Sequence, residues 1–177
     1  IQRPFWRKSI MRNMVVAGGQ LGPISRDETK ASAVNRMIAL MHQAASRGAQ
    51  LIVFPELALT TFFPRWWVEN KTDFDHMFER EMPNEDVLPL FETSKKLNIA
   101  FHLGYAELTP DGHRYNTAIM VNNIGKIIGT YRKIHLPGHS DNQEWRPFQH
   151  LEKYYFEKGN LGFPVFDALD AKIGMCI

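Results

Sequence analysis

The chain reads as an α/β protein in which helices cover a sheet, and three observations lead there. Uninterrupted apolar runs rich in β-branched residues, such as Leu51-Ile52-Val53-Phe54, have the composition of strands covered on both faces. Between the early runs lie segments whose apolar residues recur at helical spacing. Farther along, turn sequences separate strand-like runs with no room for a helix, so a β-α-β-α beginning passes into a meander.

Met14-Val15-Val16-Ala17 is the first strand and closes at Gly18-Gly19. Ser25-Arg26-Asp27-Glu28 matches a capping box, in which a hydroxyl and a carboxylate satisfy the first free amides of a helix. The helix behind it spaces Val34, Met37, Ile38, Met41, Ala44 and Ala45 along one face, and Gly48 stops it. Residues 51–54 are the second strand. Asn84-Glu85-Asp86 starts a helix that buries Val87, Leu90, Phe91, Ser94 and Leu97 and ends near Asn98, and residues 99–103 follow as a strand. The turn Pro110-Asp111-Gly112 joins strands over 105–108 and 115–121, and Asn123-Ile124-Gly125 leads into another over 126–131. Residues 135–151 are rich in Pro, Gly, His and polar side chains without any period, and a loop that long inside a compact domain is more often functional than idle. Asp167-Ala168-Leu169-Asp170 turns into a last strand over 172–177.

With 177 residues, 44% hydrophobic and 23% charged, the chain has the bulk for one compact domain with a real core. A net charge of +2, with cations and anions interspersed, gives no electrostatic footprint for nucleic acid. No apolar run approaches the ~20 residues that cross a bilayer. A single cysteine excludes an internal disulfide framework and fits a reducing cytoplasm. Residues 1–10 carry three cations and two aromatics but no apolar core, so they read as a leader or tag-like extension rather than a secretory signal. The domain proper is then 11–177, with Met11 a candidate natural start.

Two strands end on residues that can do chemistry. Pro55-Glu56 follows the apolar run 51–54, and in α/β sheets the reactive crevice lies outside the carboxyl ends of strands, where a general base belongs. Apolar surroundings would raise the affinity of Glu56 for a proton toward that task; a helix-capping or salt-bridged glutamate is the alternative. Lys133 closes its strand in the same sense and can stabilise an oxyanion that exists only in the transition state, whereas Arg132-Lys133 as a solvated basic pair is the plainer reading. Because each ends a strand, both should add little to the core. Glu152, among Tyr154, Tyr155 and Phe156, can sit behind Lys133 or pair with Lys153 or Lys158 at the surface. His135 and His150 are hydrogen-bonding groups of the long loop, either lining a pocket or tying down backbone. His135 and His139 have zinc-like spacing only on a helix, and Pro137-Gly138 breaks one, so no metal site is expected. The aromatic run Thr60-Thr61-Phe62-Phe63-Pro64-Arg65-Trp66-Trp67 walls a pocket or forms a subunit contact. Cys176, within the strand 173–177, is placed as an inert small hydrophobe rather than a nucleophile.

With these residues in view the chain resembles the nitrilase superfamily of carbon-nitrogen hydrolases, whose members use a Glu-Lys-Cys triad. Phe54-Pro55-Glu56 is similar to the family's glutamate motif, Tyr131-Arg132-Lys133-Ile134-His135-Leu136 to its lysine motif, and Gly174-Met175-Cys176-Ile177 to the approach to its cysteine motif. That alignment puts the nucleophile one residue after Ile177. Longer strings, including residues 54–66, His135-Leu136-Pro137-Gly138-His139, residues 146–153 and Gly162-Phe163-Pro164-Val165, resemble N-carbamoyl-D-amino acid amidohydrolases in particular. The resemblance implies a four-layer α-β-β-α sandwich, of which this chain supplies roughly the first half. It implies Glu56 as base, Lys133 as oxyanion partner, Glu152 as the additional glutamate, and His135 and His150 in substrate binding. It further implies no cofactor, a small-molecule N-carbamoyl amino acid substrate, and a homo-oligomer (dimer or tetramer). The alternatives are a β-ureidopropionase, an aliphatic amidase or a nitrilase with the same triad, or a non-catalytic binding relative.

Overall fold

A computed structural model describes residues 13–177; the leader-like segment 1–10 lies outside the described residues. Five strands form one mixed sheet: β1 (Val16–Gly18), β2 (Leu51–Val53), β3 (Ala100–Leu108), β4 (Arg114–Val121) and β5 (Ile127–Arg132), in that spatial order. The first three run parallel, and β3, β4 and β5 are antiparallel. The β-α-β-α start and the meander are therefore as the sequence predicts.

Helix α1 (Lys30–Ser46) carries Ala33, Val34, Met37, Met41 and Ala44 on its buried face and ends where Gly48 takes a φ of +78°. Its cap differs from the expected box. Thr29 Oγ1 accepts the Ser32 amide at 3.2 Å, while the Glu28 amide is already spent in a turn with Ser25. Glu28 instead grips Arg36, with Nε and Nη2 each at 3.0 Å, and accepts from Ser32 Oγ. Helix α2 (Leu88–Leu97) starts later than expected, because Asn84 caps a preceding turn through the Val87 amide; Asn98, left-handed at φ 54°, ends it.

The sequence splits 99–103 from 105–108, whereas β3 runs straight through both. Gly104, which looks like a break, serves a close approach: a Cβ there would stand 2.9 Å from the Pro55 carbonyl oxygen and 3.1 Å from Glu56 Cα. One face of the sheet packs under α1 and α2, with Ile52, Phe54, Phe101, Leu103 and Ile119 against Val34, Met37, Met41, Leu90 and Phe91. The opposite face is covered in two places. Leu57, Phe63, Phe74, Phe78, Tyr155 and Phe156 enclose Ala106 and Leu108. Beside them a separate hairpin of β6 (Val165–Ala168) and β7 (Ala171–Gly174) lays Phe166 over Gly129.

Four elements are not legible in the sequence: β6, the 3₁₀ turns Phe63–Arg65 and Lys71–Met77, and the one-turn helix α3 (Glu152–Tyr155). The last strand also differs from expectation. β7 stops at Gly174, and Cys176 lies beyond it and is exposed rather than held mid-strand. Among the described residues no helix is long and apolar enough to cross a membrane.

Candidate active site

Glu56 is held at a sharp elbow. The Phe54 amide bonds the His102 carbonyl at 3.0 Å, Leu57 takes a left-handed φ of 49°, and the Ala58 amide bonds the Gly104 carbonyl at 2.9 Å. A non-glycine residue with positive φ marks a backbone that its surroundings over-determine, as functional turns commonly do. The elbow throws the Glu56 carboxylate onto the sheet face opposite the two long helices.

Lys133 follows directly from β5. Its amide donates to the Asn116 carbonyl at 2.8 Å and its carbonyl accepts from Gly159 at 2.9 Å, so strand register continues one residue past Arg132. Successive strand residues face opposite ways, which sends the two neighbouring cations to opposite sides. Arg132 forms a two-point pair with Glu107, at 2.8 and 2.6 Å, and lies 4.1 Å above the Tyr115 ring. Lys133, only 6% exposed, reaches Glu56 Oε1 and Glu152 Oε2, each at 2.7 Å. The solvated basic pair is thus ruled out for both.

Glu152, 2% exposed, opens α3. The aromatic run places that helix: the Leu151 amide donates to the Pro64 carbonyl at 2.7 Å, and the Tyr155 hydroxyl donates to the Trp66 carbonyl at 2.6 Å. Phe63 is fully buried against Phe74, Phe78, Tyr155 and Phe156. At the other end, the His139 amide bonds the His150 carbonyl at 3.0 Å across Gly138, whose φ of +77° and contact with that carbonyl leave no room for a side chain. The long loop is thereby pinched shut beside the site.

Burial of its ammonium pushes Lys133 toward losing its proton, but the hydrogen bonds and charges of Glu152 and Glu56 outweigh that and hold it above the ordinary lysine value. It is a fixed cation at neutral pH, suited to an oxyanion. Glu56 is not enclosed by apolar groups as the sequence suggested: its side chain is 31% exposed and lies against the Lys133 ammonium and the Asn116 amide. It opens on a cleft of about 160 Å³ lined by Leu21, Pro23, Ile24 and Phe62 among others.

Of the five residues singled out from sequence, Glu56, Lys133 and Glu152 converge. His150 joins through Nε2 to Glu152 Oε1 at 3.1 Å, with its ring edge-on to Phe62. His135 does not join: it is exposed and lies against Phe163, ring centroids 5.9 Å apart. Asn116 and Gly104 were missed. A polar asparagine near the start of the largely apolar strand 115–121 is the available signal for the first; nothing in the sequence marks the second. Among the described residues, no three His, Cys, Asp or Glu side chains converge as a metal site.

Gly104→Ala should therefore displace the Glu56 elbow. In the full-length protein the expected result is a loss of about 1–3 kcal/mol from overpacking together with reduced turnover. Wild-type melting and wild-type rate would show that the 55–57 backbone can move aside freely.

A carbon-nitrogen hydrolase profile matches residues 15–177. The chain is 32% identical over 169 residues to a citrullinase of Francisella tularensis, covering 94% of this chain and 53% of that protein. It is 27% identical to an N-carbamoylputrescine amidase of Solanum tuberosum, covering 94% and 50%. A carbon-nitrogen hydrolase structure from Helicobacter pylori superposes with a TM-score of 0.72 at 24% identity, covering 92% of this chain and 51% of that one. The chain spans about half the length of the relatives it matches. A fold, a match along nearly all the described sequence and a glutamate bonded to a lysine at strand ends agree, and the chain belongs to the carbon-nitrogen hydrolase family.

Proposed function

We propose that the full-length protein hydrolyses N-carbamoyl-D-amino acids to D-amino acid, ammonia and carbon dioxide, with Glu56 as base, Lys133 as oxyanion partner and a cysteine directly after Ile177 as nucleophile. The observation that carries this reading is the 2.7 Å contact of Lys133 Nζ with Glu56, backed by buried Glu152 at the same distance. Glu56 takes the thiol proton and the thiolate attacks the ureido carbonyl, whose oxygen gains a negative charge facing Lys133. Collapse breaks the bond to the terminal nitrogen, which leaves as ammonia with the proton from Glu56. Water, losing a proton to Glu56, then attacks the carbamoyl thioester. The thiol is restored, and the released N-carboxy amino acid loses carbon dioxide.

The names of two relatives, citrullinase and N-carbamoylputrescine amidase, both denote ureido compounds as substrates, which supports a carbamoyl substrate. The N-carbamoyl-D-amino acid assignment rests on the long strings at residues 54–66 and 146–153. A thiol nucleophile suits the reducing cytoplasm, and a homo-oligomer completes the proposal. The 32% identity to a citrullinase makes citrulline the second substrate to test.

Ammonia release by the full-length protein should be faster on N-carbamoyl-D-phenylalanine than on its L-enantiomer, citrulline, N-carbamoyl-β-alanine, simple amides or nitriles, by about tenfold or more. A preference for citrulline would replace the substrate and keep the mechanism. Loss of activity with EDTA but not with thiol alkylation would overturn the mechanism itself. Cys176→Ala should leave turnover within a few-fold of wild type and stability within about 0.5 kcal/mol, as for an exposed position. A folded variant that loses several orders of magnitude would make Cys176 the nucleophile.

A further inference from the structure

Both hydrogen bonds made by the Glu56 side chain land on the same oxygen. Oε1 accepts from Lys133 Nζ at 2.7 Å and from Asn116 Nδ2. Asn116 is completely buried in β4, opposite Ala106 of β3, and its own carbonyl accepts the Lys133 amide. One strand residue thus fixes both members of the pair, Lys133 through its backbone and Glu56 through its side chain.

The amide makes this bond at a disadvantage to itself. Among the described residues its buried Oδ1 has no hydrogen-bond partner. Buried polar atoms are nearly always satisfied, and an orphaned acceptor is destabilising. Turning the amide over would not help, because Oδ1 would then face the Glu56 carboxylate oxygen and the bond to it would be lost. A group kept in a locally unfavourable state beside reacting atoms points to a role other than stability.

We infer that Asn116 is a positioning residue for the base: its rigid amide, together with Lys133, holds Oε1 so that Oε2 is the oxygen that takes the thiol proton. Lysine alone does this poorly, since an ammonium on a flexible stem can follow a carboxylate as it rotates. The amide of a buried strand residue cannot follow. With Oε1 engaged twice, the carboxylate has one orientation and one oxygen left for proton transfer, and Glu56 is more exposed than either Lys133 or Asn116, the two groups that hold it. This inference rests on Glu56 being the base.

The test compares Asn116→Ala and Asn116→Asp, alone and combined with Glu56→Gln, in the full-length protein after each has been shown to fold. The readouts are kcat, KM and the rate of alkylation of the nucleophilic thiol, located by peptide mass. In the single variants kcat and alkylation should fall roughly 10–10² fold, with KM within about threefold of wild type. In the Glu56→Gln background Asn116→Ala should add nothing further, because its effect passes through that carboxylate. A folded Asn116→Ala protein with kcat and alkylation within threefold of wild type overturns the inference, as do losses that multiply in the double variant. If Glu56→Gln alone reacts like wild type, the assignment of the base falls first and this inference falls with it.

Discussion

Glu56→Gln should lower turnover of the full-length protein by about 10²–10⁴ while leaving it folded. Glutamine keeps the shape of the side chain, and its amide oxygen can still accept from Lys133 Nζ and Asn116 Nδ2. Lys133 keeps the buried Glu152 as counter-charge at 2.7 Å. What disappears is the capacity to take a proton. General-base removal typically costs about 10²–10⁴ in rate, and the thiol should become correspondingly slow to alkylate. The measurement is kcat by ammonia release, with a thermal melt on the same preparation. Turnover close to wild type across about pH 6 to 8 would reduce Glu56 to a structural carboxylate and end the triad assignment.

Lys133→Ala should lose both activity and stability, and here the structure revises what strand-end position suggested. A lysine at a strand terminus was expected to add little to the core, yet Lys133 and Glu152 are 6% and 2% exposed. Removing the cation leaves the buried Glu152 carboxylate without its lysine, with His150 still at 3.1 Å, a loss of about 3–5 kcal/mol that shows as a lower melting midpoint of the full-length protein. Loss of the oxyanion partner should lower kcat by about 10²–10³. Alkaline pH reaches the same interaction in the unmodified protein. The folded-state affinity of Lys133 for its proton is raised, so its stabilising contribution is complete below the unfolded lysine value of about 10.4. It is lost as pH rises through the higher folded value. A Lys133→Ala protein as stable as wild type would show that Glu152 finds other partners.

Much of the fold was legible because periodicity and turn chemistry report local preference directly. The β-α-β-α start, the Gly48 and Asn98 helix stops and the turns at 110–112 and 123–125 all follow from residues within a few positions of each other. Competition between adjacent signals was not legible: Ser25 and Thr29 both offer caps, and only the turn that uses the Glu28 amide decides for Thr29. Glu56 and Lys133 could be singled out because strand ends are chemically privileged places. That Glu152 meets them depends on α3 being pulled in by Pro64 and Trp66, nearly ninety residues away along the chain. Gly104 could not be distinguished from a break, since the backbone it admits belongs to a different strand exit.

The opposed directions of Arg132 and Lys133 make the site sensitive to counting. A slip of one residue between β4 and β5 would bring either Arg132 to Glu56 with Tyr131 at Glu107, or Lys133 to Glu107 with Ile134 at Glu56, so neither direction preserves both ion pairs. The pairing of these strands already shifts between Met120 and Val121, so their alignment does not follow from a uniform ladder. Glu107, on the helix side, acts as a detent: its two-point grip on Arg132 recognises the planar fork that lysine lacks. An insertion or deletion within β5 itself should therefore separate Lys133 from Glu56 even with every one of these side chains present. The order Arg-Lys is a polarity written into the strand, and no balance of charge could replace it.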